Sequence, residues 1–220
     1  MCSHRSGDSG PSLRVRAQLV DTTTGAYLWS ETFDRQMEDI FAIQEEIARA
    51  IVRTLRVRLA GSTKSTFVAH HPTSVISYDC YLRGRYHMQR RTPDDLHRSL
   101  THFQAAIDAD PRSALAHSGL ADAYALLVYY SVLHPVEGVS KAKAAAIRAI
   151  QLDPTLGESY ATLALISSHY DGKWEKAESL YRKAIILNPG YAIAHHWLGV
   201  TCLALVGRFD DALEEIEMAL

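Results

Sequence analysis

The amino-acid sequence predicts a mainly all-α protein, a helical-repeat solenoid preceded by a small β-hairpin and one long helix. Three observations carry that reading. Ala106-Ile107-Asp108-Ala109-Asp110-Pro111 recurs as Ala149-Ile150-Gln151-Leu152-Asp153-Pro154 and again as Ala184-Ile185-Ile186-Leu187-Asn188-Pro189, and a further copy begins at Ala219-Leu220. The offsets between the leading alanines are 43, 35 and 35 residues, and a fixed period of this size marks stacked supersecondary units. Before residue 60 the pattern is different: apolar and polar residues alternate from Leu13, the periodicity of a strand.

The elements follow in chain order. Leu13 to Val20 reads as a first strand, Asp21-Thr22-Thr23-Thr24-Gly25 as a turn, and Tyr27 to Phe33 as a second strand, which together make a hairpin. A helix is expected from about Asp39 to Leu59, because Ile40, Ile43, Ile47, Ile51 and Leu55 form one apolar stripe. Glu45 and Glu46 stand early in it and Arg53, Arg56 and Arg58 late, the order that suits the helix dipole. Two strands and one helix bury too little to be stable alone, so either this segment, 1–60, packs on the next region or strands preceding Met1 are missing, and the second is the favoured expectation. Residues 61–75 read as a linker, small and polar with Pro72 against helix. Thr63-Lys64-Ser65 lacks the glycines that a phosphate-binding loop needs, so no nucleotide site is assigned there.

The region 76–220 carries the repeats, in units of about 76–111, 112–154, 155–189 and a truncated 190–220. Seven residues before each leading alanine stands Ser99, Ala142, Ala177 or Ala212, and between the two lie Phe103, Ala146, Tyr181 and Ile216. Steps of four and three place all three positions on one helix face. Small residues there let a second helix approach closely, and the middle residue fills the remaining space. The first helix of each unit is marked by Leu82 and Tyr86, Leu120 and Tyr124, Leu163 and Ser167, and Leu198 and Cys202. A proline closes each complete unit.

This period and these residues resemble the tetratricopeptide repeat family, whose usual period is about 34 residues. The resemblance implies a right-handed solenoid of helix-turn-helix units. Against that period the first unit carries about four extra residues around Arg90-Arg91-Thr92-Pro93, and the second about nine between Val128 and Gly138. Ala146 is smaller than its counterparts; either the second unit packs more tightly or a neighbouring side chain fills the gap. The stretch from Arg14 to Leu59 resembles the closing half of the TolB-like amino-terminal domain, an α/β domain. The matching residues are Leu13 to Val20, Gly25-Ala26-Tyr27-Leu28-Trp29-Ser30-Glu31 and Asp39 to Ala48, with Arg5-Ser6-Gly7-Asp8 similar to a preceding hairpin tip. In bacteria that domain often precedes such repeats in chains that also carry a class III nucleotide cyclase or a winged-helix DNA-binding domain. The resemblance therefore implies a sensory or regulatory fragment of a bacterial adenylate cyclase or winged-helix regulator, with the effector domain absent.

Such arrays usually bind partners on the concave surface lined by first helices. Residues at minus five, minus two, plus two and plus five from the repeated leucine share that face, and adjacent positions widen it. The candidate groove comprises Tyr81, Gly84 and His87; Ser118 and Asp122; Glu158, Thr162, Leu165 and His169; and His196, Trp197 and Val200. Each has ordinary packing or solvation as its competing reading, and the aromatics Trp197 and Tyr81 are the better anchors. The groove lacks the Lys/Arg/Asn set with which some relatives clamp a carboxylate tail. His195 and His196, being adjacent, diverge by about 100° on a helix and make a poor metal pair. Tyr129 and Tyr130, in the second unit's insertion, either extend the core or form an exposed patch.

Composition limits the alternatives. The chain has 220 residues, 47% hydrophobic and 22% charged, with formal net charge -2, which disfavours a nucleic-acid binder reliant on backbone charge. Cys2, Cys80 and Cys202 are odd in number and scattered, which suits a reducing compartment. No apolar stretch reads as a signal peptide or membrane span, so a cytoplasmic location is expected. No catalytic constellation, metal set or cofactor motif is present. The expected function is a non-catalytic scaffold for a protein or peptide partner, or for an effector domain of the parent chain, without nucleic acid, membrane or cofactor. Ala212, Ile216 and Ala219 lack a following helix, so self-association through that end is also expected.

Overall fold

The computed structural model describes residues 12–20, 27–36, 46–47 and 74–220. The expected turn at 21–25, most of the helix at 39–59, most of the linker and Cys2 lie outside the described residues. The chain divides into two compact units, residues 1–75 and 76–220.

In the first unit, β1 (Ser12–Val20) pairs antiparallel with β2 (Tyr27–Gln36). The register runs from Ser12 opposite Gln36 to Leu19 opposite Trp29, with an irregularity between Leu19 and Val20. Val15, Ala17 and Leu19 are half-buried while Arg14, Arg16 and Gln18 are exposed, as the alternation requires. Phe33 is buried, with its ring 6.4 Å from that of Trp29.

The second unit is the helical solenoid. Its helices are α1 (Val75–Gln89), α2 (Pro93–Ala109), α3 (Ala114–Tyr129), α4 (Pro135–Leu152), α5 (Gly157–His169), α6 (Trp174–Leu187), α7 (Ala192–Leu198) and α8 (Phe209–Glu217). A π-helical turn at Gly199–Leu203 and a 3-10 turn at Ala204–Val206 link the last two. The starts of the early helices are written locally. Thr92 accepts from the Asp95 amide, Ser113 from Ala116 and His134 from Val136, each satisfying a donor that the first turn leaves open. The ends of α2, α4 and α6 fall two residues before Pro111, Pro154 and Pro189. Asp110, Asp153 and Asn188, which precede those prolines, leave the helical region as proline demands.

The repeated small positions are the helix crossings. Ser99, Phe103 and Ala106, then Ala142, Ala146 and Ala149, then Ala177, Tyr181 and Ala184 are all fully buried. Phe103 lies under both Gly84 and Gly119; a Cβ on either glycine would stand 2.6 or 2.3 Å from its ring. In the second unit, half-buried Leu120 and Leu163 pack on the Ala121, Ala145 and Ala146 cluster, so neighbouring leucines fill the space that Ala146 leaves. Of the insertion, Val132 and Leu133 join the core with Met88, Leu96 and Leu127, whereas Tyr129 and Tyr130 remain over 40% exposed.

The marker residues of the first helix face differently from their counterparts in the later units. Leu82 and Tyr86 are 47% and 59% exposed, while Ser77, Gly84 and Met88 form the buried side of α1. The large ring of Phe103 demands a residue without a side chain opposite it. Gly84 meets that demand, and it fixes the rotation of α1 away from the Leu82 face.

Candidate functional site

Four segments converge inside the solenoid. From α1 come Tyr81 and Arg85, one turn apart, with Arg85 Nη1 donating to Tyr81 Oη at 3.3 Å. From α3 comes Asp122, which is 4% exposed and accepts from the Thr162 hydroxyl of α5. Glu158, one turn before Thr162, accepts from Asn188 Nδ2 at 3.2 Å. Tyr191, at the entry to α7, faces Asp122, Glu158, Arg85 and Tyr81 electrostatically.

The charges are compressed into little water. Burial pushes the Asp122 carboxyl up to about 6, against the smaller opposing pull of the Thr162 hydrogen bond and Arg85. Burial likewise raises Tyr81, and raises Tyr191 further with Asp122 and Glu158 beside it. These phenols stay neutral, and Tyr81 accepts from Arg85. Asp122 changes charge in the weakly acidic range, so the cluster loses negative charge there as the pH falls.

Trp197 of α7 packs on the core cluster formed by Met88, Leu96, Phe103, Leu126 and Leu127. A fourth-unit side chain thus rests on the first and second units. Beside it opens a cavity of about 370 Å³, lined in part by Arg91, Leu126, Tyr129, Tyr130, His196 and Trp197. Arg91 Nη1 reaches Tyr130 Oη at 3.4 Å.

Among the predicted groove residues, Tyr81, Asp122, Glu158, Thr162 and Trp197 come together on this inner face, and exposed His196 lines the cavity. His87 points elsewhere: its Nδ1 is 2.8 Å from Asp95 Oδ1 and its ring stacks on His102 of α2 at 5.2 Å. The hydrogen bonds from His87 and Thr92 hold the Asp95 carboxyl below its ordinary range. His169 sits 5.6 Å from the Tyr129 ring, one ring removed from the cavity. Gly84, Ser118 and Leu165 are buried in packing, and Val200 is exposed. Arg85, Arg91, Asn188 and Tyr191 were missed. Arg85 stood one turn beyond Tyr81 and could have been read from that step. Tyr191 precedes its helix, where helical spacing has no force. Among the described residues no three His, Cys, Asp or Glu side chains come together as a metal site, and no helix is long and apolar enough to cross a membrane.

Paired helices crossing over small residues, stacked unit upon unit with an inner polar face, define a helical-repeat solenoid. The tetratricopeptide repeat family profile matches residues 81–128 and 163–220. The chain is a tetratricopeptide-repeat protein. A thermophilic TPR protein of Thermus thermophilus shares the fold, with TM-score 0.55 and 17% identity over 82% of this chain and 86% of that one. Among curated proteins, Putative adenylate cyclase 3 of Rhizobium meliloti is 31% identical over 158 residues, 71% of this chain. Transcriptional regulator HilA of Salmonella typhimurium is 25% identical over 178 residues, 81% of this chain. The chain spans only 27% and 31% of the length of these two relatives.

Proposed function

We propose that this chain is a non-catalytic scaffold that binds a peptide or helix of a partner protein on the concave face of its repeats. The observation that carries this reading is the convergence of Tyr81, Asp122, Glu158 and Trp197 from four different helices onto one inner face beside an open cavity. A packing role alone does not call for charged groups at such a place, since burying a carboxylate is costly unless it is paired. Crosslinked capture of partners by the whole chain and by Tyr81, Asp122 and Trp197 variants tests it, with circular dichroism confirming each fold. Capture unchanged in all three variants removes the groove from consideration.

A second reading is favoured by the two curated relatives. The chain corresponds to the sensory or regulatory part of a bacterial adenylate cyclase or a winged-helix transcriptional regulator, and its first segment corresponds to the closing half of a TolB-like domain. The groove then docks the effector domain of the same parent protein. An in-frame cyclase or winged-helix coding region adjoining this one supports that reading. A self-contained gene, with its promoter directly before Met1, counts against it.

A further inference from the structure

We infer that the cavity beside Trp197 receives a large apolar side chain whose neighbouring residue carries a carboxylate, so that the groove's partner is an internal acidic-apolar peptide segment. The inference rests on the concave-face reading above and specifies its ligand.

The argument begins with the turns that join the two helices of each unit. All four place a residue in the left-handed region. The third and fourth use Gly172 at φ 63° and Gly207 at φ 82°, the residue type that adopts this conformation freely. The first and second use Arg91 and Ser131, both at φ 58°. A side chain is thus retained where glycine serves in the sister units, and non-glycine residues held in this region gather at functional sites. Both turns border the cavity. Arg91 lines it, and Ser131 follows Tyr130, which also lines it.

Charge decides between an acidic and a basic occupant. Arg91 is exposed, and it is the charged side chain on the cavity wall. The carboxylates of the inner face do not line the cavity and are engaged: Asp122 with Thr162, Glu158 with Asn188. The charged side chain that a ligand finds on this wall is therefore a guanidinium, whose planar donors suit a carboxylate. Apart from His196, the remaining wall is aromatic and aliphatic, with Tyr129, Tyr130 and Trp197 alongside Leu126, Ile193 and Ile216, and suits a buried anchor of the kind that dominates binding energy. The volume of about 370 Å³ falls at the small end of ligand clefts and has room for a bulky side chain with part of its neighbour rather than a folded surface.

The test is selection of a displayed random dodecapeptide library on the whole chain and on Arg91→Glu, an exposed change that leaves the core intact. The enriched sequences are then synthesised with amidated C-termini and measured by fluorescence anisotropy. The wild type is expected to enrich Leu, Phe or Trp beside Asp or Glu, and amidation is expected to leave binding intact. Arg91→Glu is expected to weaken those peptides by about tenfold, the order expected of a partly buried charge pair, and to shift enrichment toward Lys and Arg. Enrichment of basic peptides by the wild type, loss of binding on amidation, or affinity indifferent to Arg91→Glu each overturns the inference while leaving the groove reading standing. Failure to enrich any peptide overturns both.

Discussion

Asp122 is the residue at which the inner face is most exposed to test. Its carboxyl is raised to about 6 in the folded chain, above the ordinary 3.8. The folded state therefore holds a proton that the unfolded state has already released between these values. Stability falls as pH rises from about 4 to about 6, then levels off. At about 1.4 kcal/mol per pKa unit, the ionised Asp122 costs about 3 kcal/mol at neutral pH. Asp122→Asn keeps an oxygen that accepts from Thr162 and carries no charge. We expect it to raise the melting temperature at pH 7.5 and to flatten the slope between pH 4 and 6. Equal melting curves for both proteins across that range would show that Asp122 is solvated. A natural sequence that tolerates such a penalty is consistent with a role for the carboxylate beyond folding. The residue scale is also where the sequence was least legible. Asp122 and Glu158 could be placed because they fall at fixed steps from a repeated leucine, and Trp197 because it adjoins such a position. Arg91 and Tyr191 lie in turns, where no period applies.

At the scale of the helix pair, legibility was high wherever the pattern repeats. The nine small or filling positions from Ser99 to Ala184 were read in register, because close helix approach forces the same choice in each unit. Helix ends were equally readable from their prolines. The first helix is harder to orient from sequence for a physical reason: its outward face carries Leu82 and Tyr86, as apolar as a core stripe, and its inward face carries Gly84. Hydropathy does not register a glycine that makes room for a ring. The same geometry yields a test at Gly157, where an added Cβ would stand 2.8 Å from the Ala184 carbonyl oxygen. Backbone cannot give way as a side chain does, so Gly157→Ala is expected to destabilise by about 1–3 kcal/mol in urea unfolding. Ala149→Trp, at a fully buried crossing, should lose as much or more by the same measurement. A stability unchanged by either substitution contradicts this packing.

Across the whole repeat region, stability in a solenoid normally sums over neighbouring units alone. Trp197 breaks that rule, since it joins the fourth unit to the cluster of Met88 and Leu126 in the first two. We therefore expect Leu126→Ala to speed amide hydrogen exchange in α7 as well as in α3 and α4. Faster exchange confined to the second unit would mean that the contact contributes little. This closure was not legible in the sequence. Repeat signatures encode how each unit meets the next, and say little about how tightly several units wind.

The closure by Trp197 and Tyr191 also has a kinetic side. On the binding role proposed above, a peptide running along the inner face must pass where these two side chains lie. Entry then waits on the fourth unit drawing back, so association is gated. Observed rates should climb with peptide concentration and reach a plateau set by opening. A stopped-flow trace with labelled peptide whose rate rises linearly without limit would show an entrance that stands permanently open. Gating of this kind makes residence time, more than encounter, the quantity through which such a chain reports that its partner has arrived.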